Sequence, residues 1–117
     1  MSRDSILKTK SFDFAVRVIN LYKYLKKRHG EYVISQQFIR AGTSVGALIR
    51  EAEFAESTKD FMHKLSIGLK EANESVYWLQ LLHATNYINK KMFDSMESDA
   101  TELLKMLISS VKTIKAK

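Results

Sequence analysis

The chain reads as an all-α protein, an antiparallel up-down-up-down bundle of four helices. Three observations carry that reading. Proline is absent and glycine occurs only four times in 117 residues, so the residues that stop helices and build turns are nearly missing. Apolar side chains recur at i+3 and i+4 in four successive segments. The connections between those segments are short, which makes sequential neighbours antiparallel.

The spacing predicts a first helix over roughly 10–28, with Phe14, Ala15, Val18, Tyr22 and Leu25 on its stripe and His29-Gly30 as a C-terminal stop. Ser35 is the expected cap of a second helix over roughly 35–55, with Phe38, Gly42, Val45, Ile49 and Ala52 facing inward. A third helix is expected over 57–86, opened by Ser57 or Thr58 with Asp60 in its first turn. Asn89 then caps a fourth over 90–115, striped by Met96, Ala100, Leu103, Leu107, Val111 and Ile114. No repeat, low-complexity tract or linker interrupts residues 1–117, so one domain is expected.

The third segment carries more apolar surface than one core needs. Phe61, Leu65, Leu69, Ala72, Val76 and Leu79 form a core stripe. A second seam, Ile67, Glu71, Glu74, Trp78 and Leu81, is expected on the opposite face, where a simple bundle would be polar. The second segment holds a run of small residues, Ala41, Gly42, Ser44, Gly46 and Ala47, which allows close backbone approach. Both features point to contact with a second subunit.

Hydrophobic residues make up 45% of the chain and charged residues 27%, a globular composition rather than a disordered one. The N-terminus, MSRDSILKTKSFDF, has no apolar run of a secretory leader, and no uncharged stretch approaches the ~20 residues of a membrane span. A cytoplasmic location is the expectation. Without cysteine there is neither a disulfide framework nor a thiolate metal site.

Net charge is +6 and unevenly placed. Residues 1–30 hold Arg3, Lys8, Lys10, Arg17, Lys23, Lys26, Lys27 and Arg28 against Asp4 and Asp13, whereas the remainder holds eleven basic and eleven acidic side chains. The imbalance marks either a basic face for an anionic partner or a solvated helix end.

Catalytic and metal-binding patterns are missing. A di-iron bundle needs Glu-x-x-His twice, and only Asp60-x-x-His63 comes near it. His63 and His83 lie on one helix, ~30 Å apart along its axis, too far to share a ligand. Glu71 and Glu74 share a helix face as a catalytic pair would, yet ion pairing to Arg40 or Arg50 on a neighbouring helix explains them better, with Glu51 in the same network. No catalytic residue, metal ligand, cofactor or small-molecule substrate is expected. Phe14, Tyr22, Phe38, Phe61, Trp78, Tyr87 and Phe93 are better read as core than as base-stacking rings, with Tyr24 and Tyr32 the exceptions free to meet bases.

The stretch from Ser35 to Ala52, SQQFIRAGTSVGALIREA, resembles the second-helix signature of a bacterial four-helix-bundle family. That family was first noticed as the protein encoded in 23S rRNA intervening sequences. Lys59 to Ile67 and Lys70 to Ser75 resemble its third helix, and the likeness covers about residues 10–110. The family often has Asn where this chain has Leu48. The resemblance implies a four-helix protomer and a ring-like homopentamer, and does not imply an enzyme. It includes a relative, the accessory variability determinant of diversity-generating retroelements, which acts with a reverse transcriptase and nucleic acid through a basic surface.

Two functions follow as expectations. The first is a non-enzymatic homo-oligomeric scaffold whose basic surface, with Arg17, Lys23, Lys26, Lys27 and Arg28, engages RNA, DNA or a nucleic-acid enzyme such as a reverse transcriptase. Arg40, Arg50, Glu51, Ile67, Glu71, Glu74, Trp78 and Leu81 would serve the oligomer interface or its ion pairs. The alternative is a protein–protein adaptor or structural oligomer without a nucleic-acid role.

Overall fold

The computed structural model describes residues 2–116, with only the backbone of Arg3 and Asp4. Four helices follow one another: α1 Arg3–His29, α2 Val33–Ala52, α3 Thr58–Ala84 and α4 Lys90–Lys115. Each packs against its sequence neighbour, and α4 closes back onto α1, making the up-down-up-down bundle. The long axis of 46 Å matches the ~40 Å of a 27-residue helix plus its turns. Among the described residues no helix is long and apolar enough to cross a membrane.

The caps explain where the helices begin. Ser57 Oγ accepts from the Asp60 N–H at 3.0 Å and Asn89 Oδ1 from the Met92 N–H at 2.8 Å, opening α3 and α4 where their sequences indicate. Gly30 ends α1 in the left-handed region at φ 63°.

Two starts differ from expectation. Helix α1 begins seven residues early, because Ser2 Oγ caps the Ser5 N–H and Leu7 and Ser11 extend the buried stripe to Phe14, Val18, Leu21 and Leu25. Ala15 and Tyr22 are only half-buried. Ser11 conceals the pattern, since a hydroxyl in an apolar stripe breaks the hydrophobic period.

Ser35 is not the cap of α2 either. It lies inside that helix, fully buried, and the capping group is the carboxylate of Glu31. Glu31 Oε2 accepts from the Val33 and Ile34 N–H groups at 3.2 and 3.1 Å, while Oε1 accepts from the Ser35 N–H and hydroxyl, both at 2.8 Å. Burial pushes this carboxyl up, but the donors of Ser35, Ile34 and Val33 outweigh it and hold the group below the usual carboxylate range.

The run of small residues on α2 also has its explanation inside the protomer. A Cβ on Gly42 would lie 2.7 Å from Val18 Cγ2, and one on Gly46 would meet Ser11 Oγ at 3.4 Å. Gly42 and Gly46 therefore let α2 close onto α1, and buried Ala41 belongs to the core. On α3 the buried stripe is Leu65, Gly68, Ala72, Ser75, Leu79 and Leu82, with Phe61, Leu69 and Val76 half-buried on its edge.

Candidate nucleic-acid interface

Along the first two thirds of α1, each described cation meets a carboxylate. Lys8 Nζ lies 3.1 Å from Glu53. Lys10 bonds Glu102, and that carboxylate holds its ammonium above the usual range. Arg17 reaches α4, where it pairs with Asp99 and donates to Ser95 Oγ at 2.7 Å.

The last third of α1 differs. Lys23, Lys26, Lys27 and Arg28 are exposed and make no ion pair among the described residues. Three of them, with His29, occupy the final turn, where the negative end of the helix dipole favours cations. The α3–α4 turn and the start of α4 reach the same end of the bundle. They add Lys90, paired with Asp94 at 2.7 Å, and Lys91, exposed and likewise without an ion pair among the described residues. Residues 20–39 and 77–94, which build this end, hold six cations against Glu31 and Asp94. Glu31 is only 8% exposed and already saturated by the α2 cap.

Aromatic rings stand among these cations. Tyr24 meets His29 in a T-shaped contact with centroids 5.7 Å apart, and His29 meets Tyr87 in another at 5.5 Å. Tyr87 is set by the α3 C-terminus, where Asn86 at φ 69° turns the chain and the Tyr87 N–H donates to Leu82 O at 3.0 Å. Tyr24 is 39% exposed and Tyr32 55%. Of the other rings, Phe14 and Phe38 are buried, Tyr22, Phe61, Trp78, Tyr87 and Phe93 are half-buried, and Phe12, Phe54 and Tyr77 are exposed.

The seam of Ile67, Glu71, Glu74, Trp78 and Leu81 does not point directly away from the core. All five are half-buried, and at 100° per residue the seam is rotated about 110° from the buried stripe, on the flank beside α2. There Arg40 Nη2 lies 3.0 Å from Glu74 Oε2, while Arg40 Nη1 is 3.7 Å from Glu71 Oε2, too long for a hydrogen bond. Arg50 is elsewhere, stacked over Phe12 of α1 at 5.7 Å. Glu51 pairs with Lys64 at 3.2 Å rather than joining the Arg40 cluster. Burial and the neighbouring Glu74 push the Glu71 carboxyl up, against the pull of Arg40. Glu71 Oε2 and Trp78 Nε1 are buried without a hydrogen-bond partner.

Among the described residues no three acidic or histidine side chains converge as metal ligands would. His83 stacks on Phe93, with centroids 4.6 Å apart. Sequence reasoning missed Lys91, since beside Lys90 and Asp94 it looks locally balanced and joins the α1 cations only through the fold.

This bundle matches the model of the 23S rRNA-intervening sequence protein family over residues 3–109. The chain belongs to that family. Among solved structures, it is similar to a protein of unknown function from the S23 ribosomal protein family of Bacteroides thetaiotaomicron VPI-5482. The two share 52% identity over 95% of this chain and 99% of that one, with a TM-score of 0.93. Neither the 23S rRNA-intervening sequence family's description nor the name of that relative carries a catalytic activity. A comparison with functionally curated proteins finds no match.

Proposed function

We propose that the chain is a non-enzymatic, homo-oligomeric scaffold that binds nucleic acid through the basic end of its bundle, with five subunits as the family resemblance implies. The observation that carries this reading is the contrast along α1. Carboxylates neutralise Lys8, Lys10 and Arg17, while Lys23, Lys26, Lys27 and Arg28 make no such pair among the described residues and are joined by Lys91. Arg17, tied to Asp99 and Ser95, holds the α1–α4 contact and is not part of the phosphate-binding set. Phosphate contacts by lysine and arginine supply sequence-independent affinity, and repetition around a ring multiplies the field. The family's name, which links it to 23S rRNA intervening sequences, is in keeping with an RNA partner.

A closed ring needs two different complementary surfaces on each subunit. The α3 flank offers one, with half-buried Ile67, Trp78 and Leu81 beside the unpartnered Glu71 Oε2 and Trp78 Nε1. Phe12 and Val16, 54% and 43% exposed on α1 beside Arg50, offer the other. Assembly would give the two orphaned polar atoms partners, which buried groups normally have. Light scattering tests this part. A particle several times 13.5 kDa is expected, reduced in mass by Trp78→Glu. A monomer at micromolar concentration would contradict it. A gel-shift titration at low salt tests the other part, with both RNA and DNA expected to bind.

An adaptor role has one observation in its favour. Cations in the last turn of a helix also serve the helix dipole, without any ligand. Absence of nucleic-acid binding at low salt would favour that reading.

A further inference from the structure

Near the basic end, α1 and α4 stand apart enough to leave a groove of about 470 Å³. Its floor is apolar, made by Leu21, Met92 and Met96, and Asn20, Tyr24 and Lys91 line its sides. On α1, residues 20, 23, 24 and 27 share one strip of the helix, so Lys23 and Lys27 stand beside Asn20 and Tyr24. The T-shaped contacts that run from Tyr24 through His29 to Tyr87 steady the tyrosine ring at the groove mouth.

We propose that this groove receives an unstacked base of a single-stranded nucleic acid, with Tyr24 as its stacking platform. The inference rests on the nucleic-acid reading above and narrows it to a ligand class. Polarisable methionine thioethers and an aliphatic floor suit the face of a heterocycle. The Asn20 amide can both donate and accept, as a base edge requires. Lys23, Lys27 and Lys91 sit where the flanking phosphates would run, so charge complementarity favours a polyanion over an uncharged ligand. A duplex cannot use such a slot, because its bases are stacked and paired, whereas single strands readily stack bases on protein aromatics. Sequence preference should be weak, since every base has a face to stack.

The test compares a labelled single strand of mixed sequence with the duplex that it forms with its complement, by fluorescence anisotropy. The parent protein is expected to prefer the single strand. Tyr24→Leu keeps the groove apolar but removes the platform, and should weaken single-strand binding roughly tenfold while leaving duplex binding and the salt slope unchanged. Tyr24→Phe should bind like the parent. Equal loss on both ligands, or no loss on either, would overturn the groove assignment while leaving the basic-end reading intact. Failure of the parent to bind either ligand at low salt would overturn that reading too.

Discussion

The two stretches of α1 are both net basic in the sequence and meet opposite fates in the fold. From Lys8 to Arg17 each cation has a carboxylate partner on α4 or just beyond α2, so the charge is spent on holding the bundle together. From Lys23 to Arg28 no carboxylate comes within ion-pair distance among the described residues, and Lys91 adds to the field from α4. Net positive charge in both segments does not reveal which cations are paired. The acidic residues that cancel the first stretch, Glu53, Asp99 and Glu102, lie 45 to 92 residues further along the chain. Only the part of a basic segment that the fold leaves unpaired can act on a partner.

The largest expected effect comes from removing that free charge. Replacing Lys23, Lys26, Lys27 and Arg28 with Gln should weaken single-strand binding by roughly two to three orders of magnitude at about 0.1 M salt, if each contributes one phosphate contact. The melting temperature should stay within a few degrees, because these residues are exposed.

The second prediction strikes the α1–α2 packing next to the paired stretch. Gly42→Ala places a Cβ 2.7 Å from Val18 Cγ2, between two packed helices, and should cost about 1–3 kcal/mol in a urea melt. Nucleic-acid affinity of the folded fraction should be unchanged.

A third concerns the turn that joins the basic end to α2. Glu31→Gln should destabilise by about 1 kcal/mol at neutral pH, because the neutral amide caps three backbone donors less well. The Glu31 carboxyl is held below its ordinary value of 4.5, so its contribution is complete above that pH and is lost as pH falls through the folded value. Parent and variant should therefore converge in stability only as pH falls through that lowered folded value. A constant gap down to strong acid would show that the carboxylate charge is not what caps α2.

Lys8→Gln with Lys10→Gln gives the smallest effect and the sharpest contrast. Both pairs are largely exposed and screened by solvent, so the double variant should melt close to the parent. Although it sheds two charges from the same helix, its affinity should fall by less than about threefold, since neither lysine lies at the binding end.

The fold was legible because helix period, missing proline and capping residues agree with one another. Ser57, Asn89 and Gly30 act where local chemistry places them, and the inward stripes of α2 and α4 read directly from their spacing. The differences come from tertiary contacts in two cases and from a competing local cap in the third. Ser11 is buried because Gly46 of α2 comes close, and Ser35 lost the cap to Glu31, whose longer carboxylate reaches three N–H groups. The α3 seam lies nearer the core than its spacing predicts because α2 covers that flank, a fact that no single-helix pattern contains. The charge asymmetry was visible in the sequence, but its division into paired and unpaired cations, and the groove beside Tyr24, required the α1–α4 pairing.

The most direct test of the basic end is the salt dependence of binding. Titrate a labelled single strand against the parent, the Lys8/Lys10 variant and the four-residue Gln variant, from low to physiological salt. Plot log K against log salt. At roughly −0.7 per neutralised phosphate, five contacts, Lys91 included, predict a slope of about −3.5 per engaged subunit for the parent and the Lys8/Lys10 variant, and only about −0.7 for the four-residue variant, which keeps Lys91. Equal slopes for all three proteins would place the phosphate contacts elsewhere on the molecule and contradict the account.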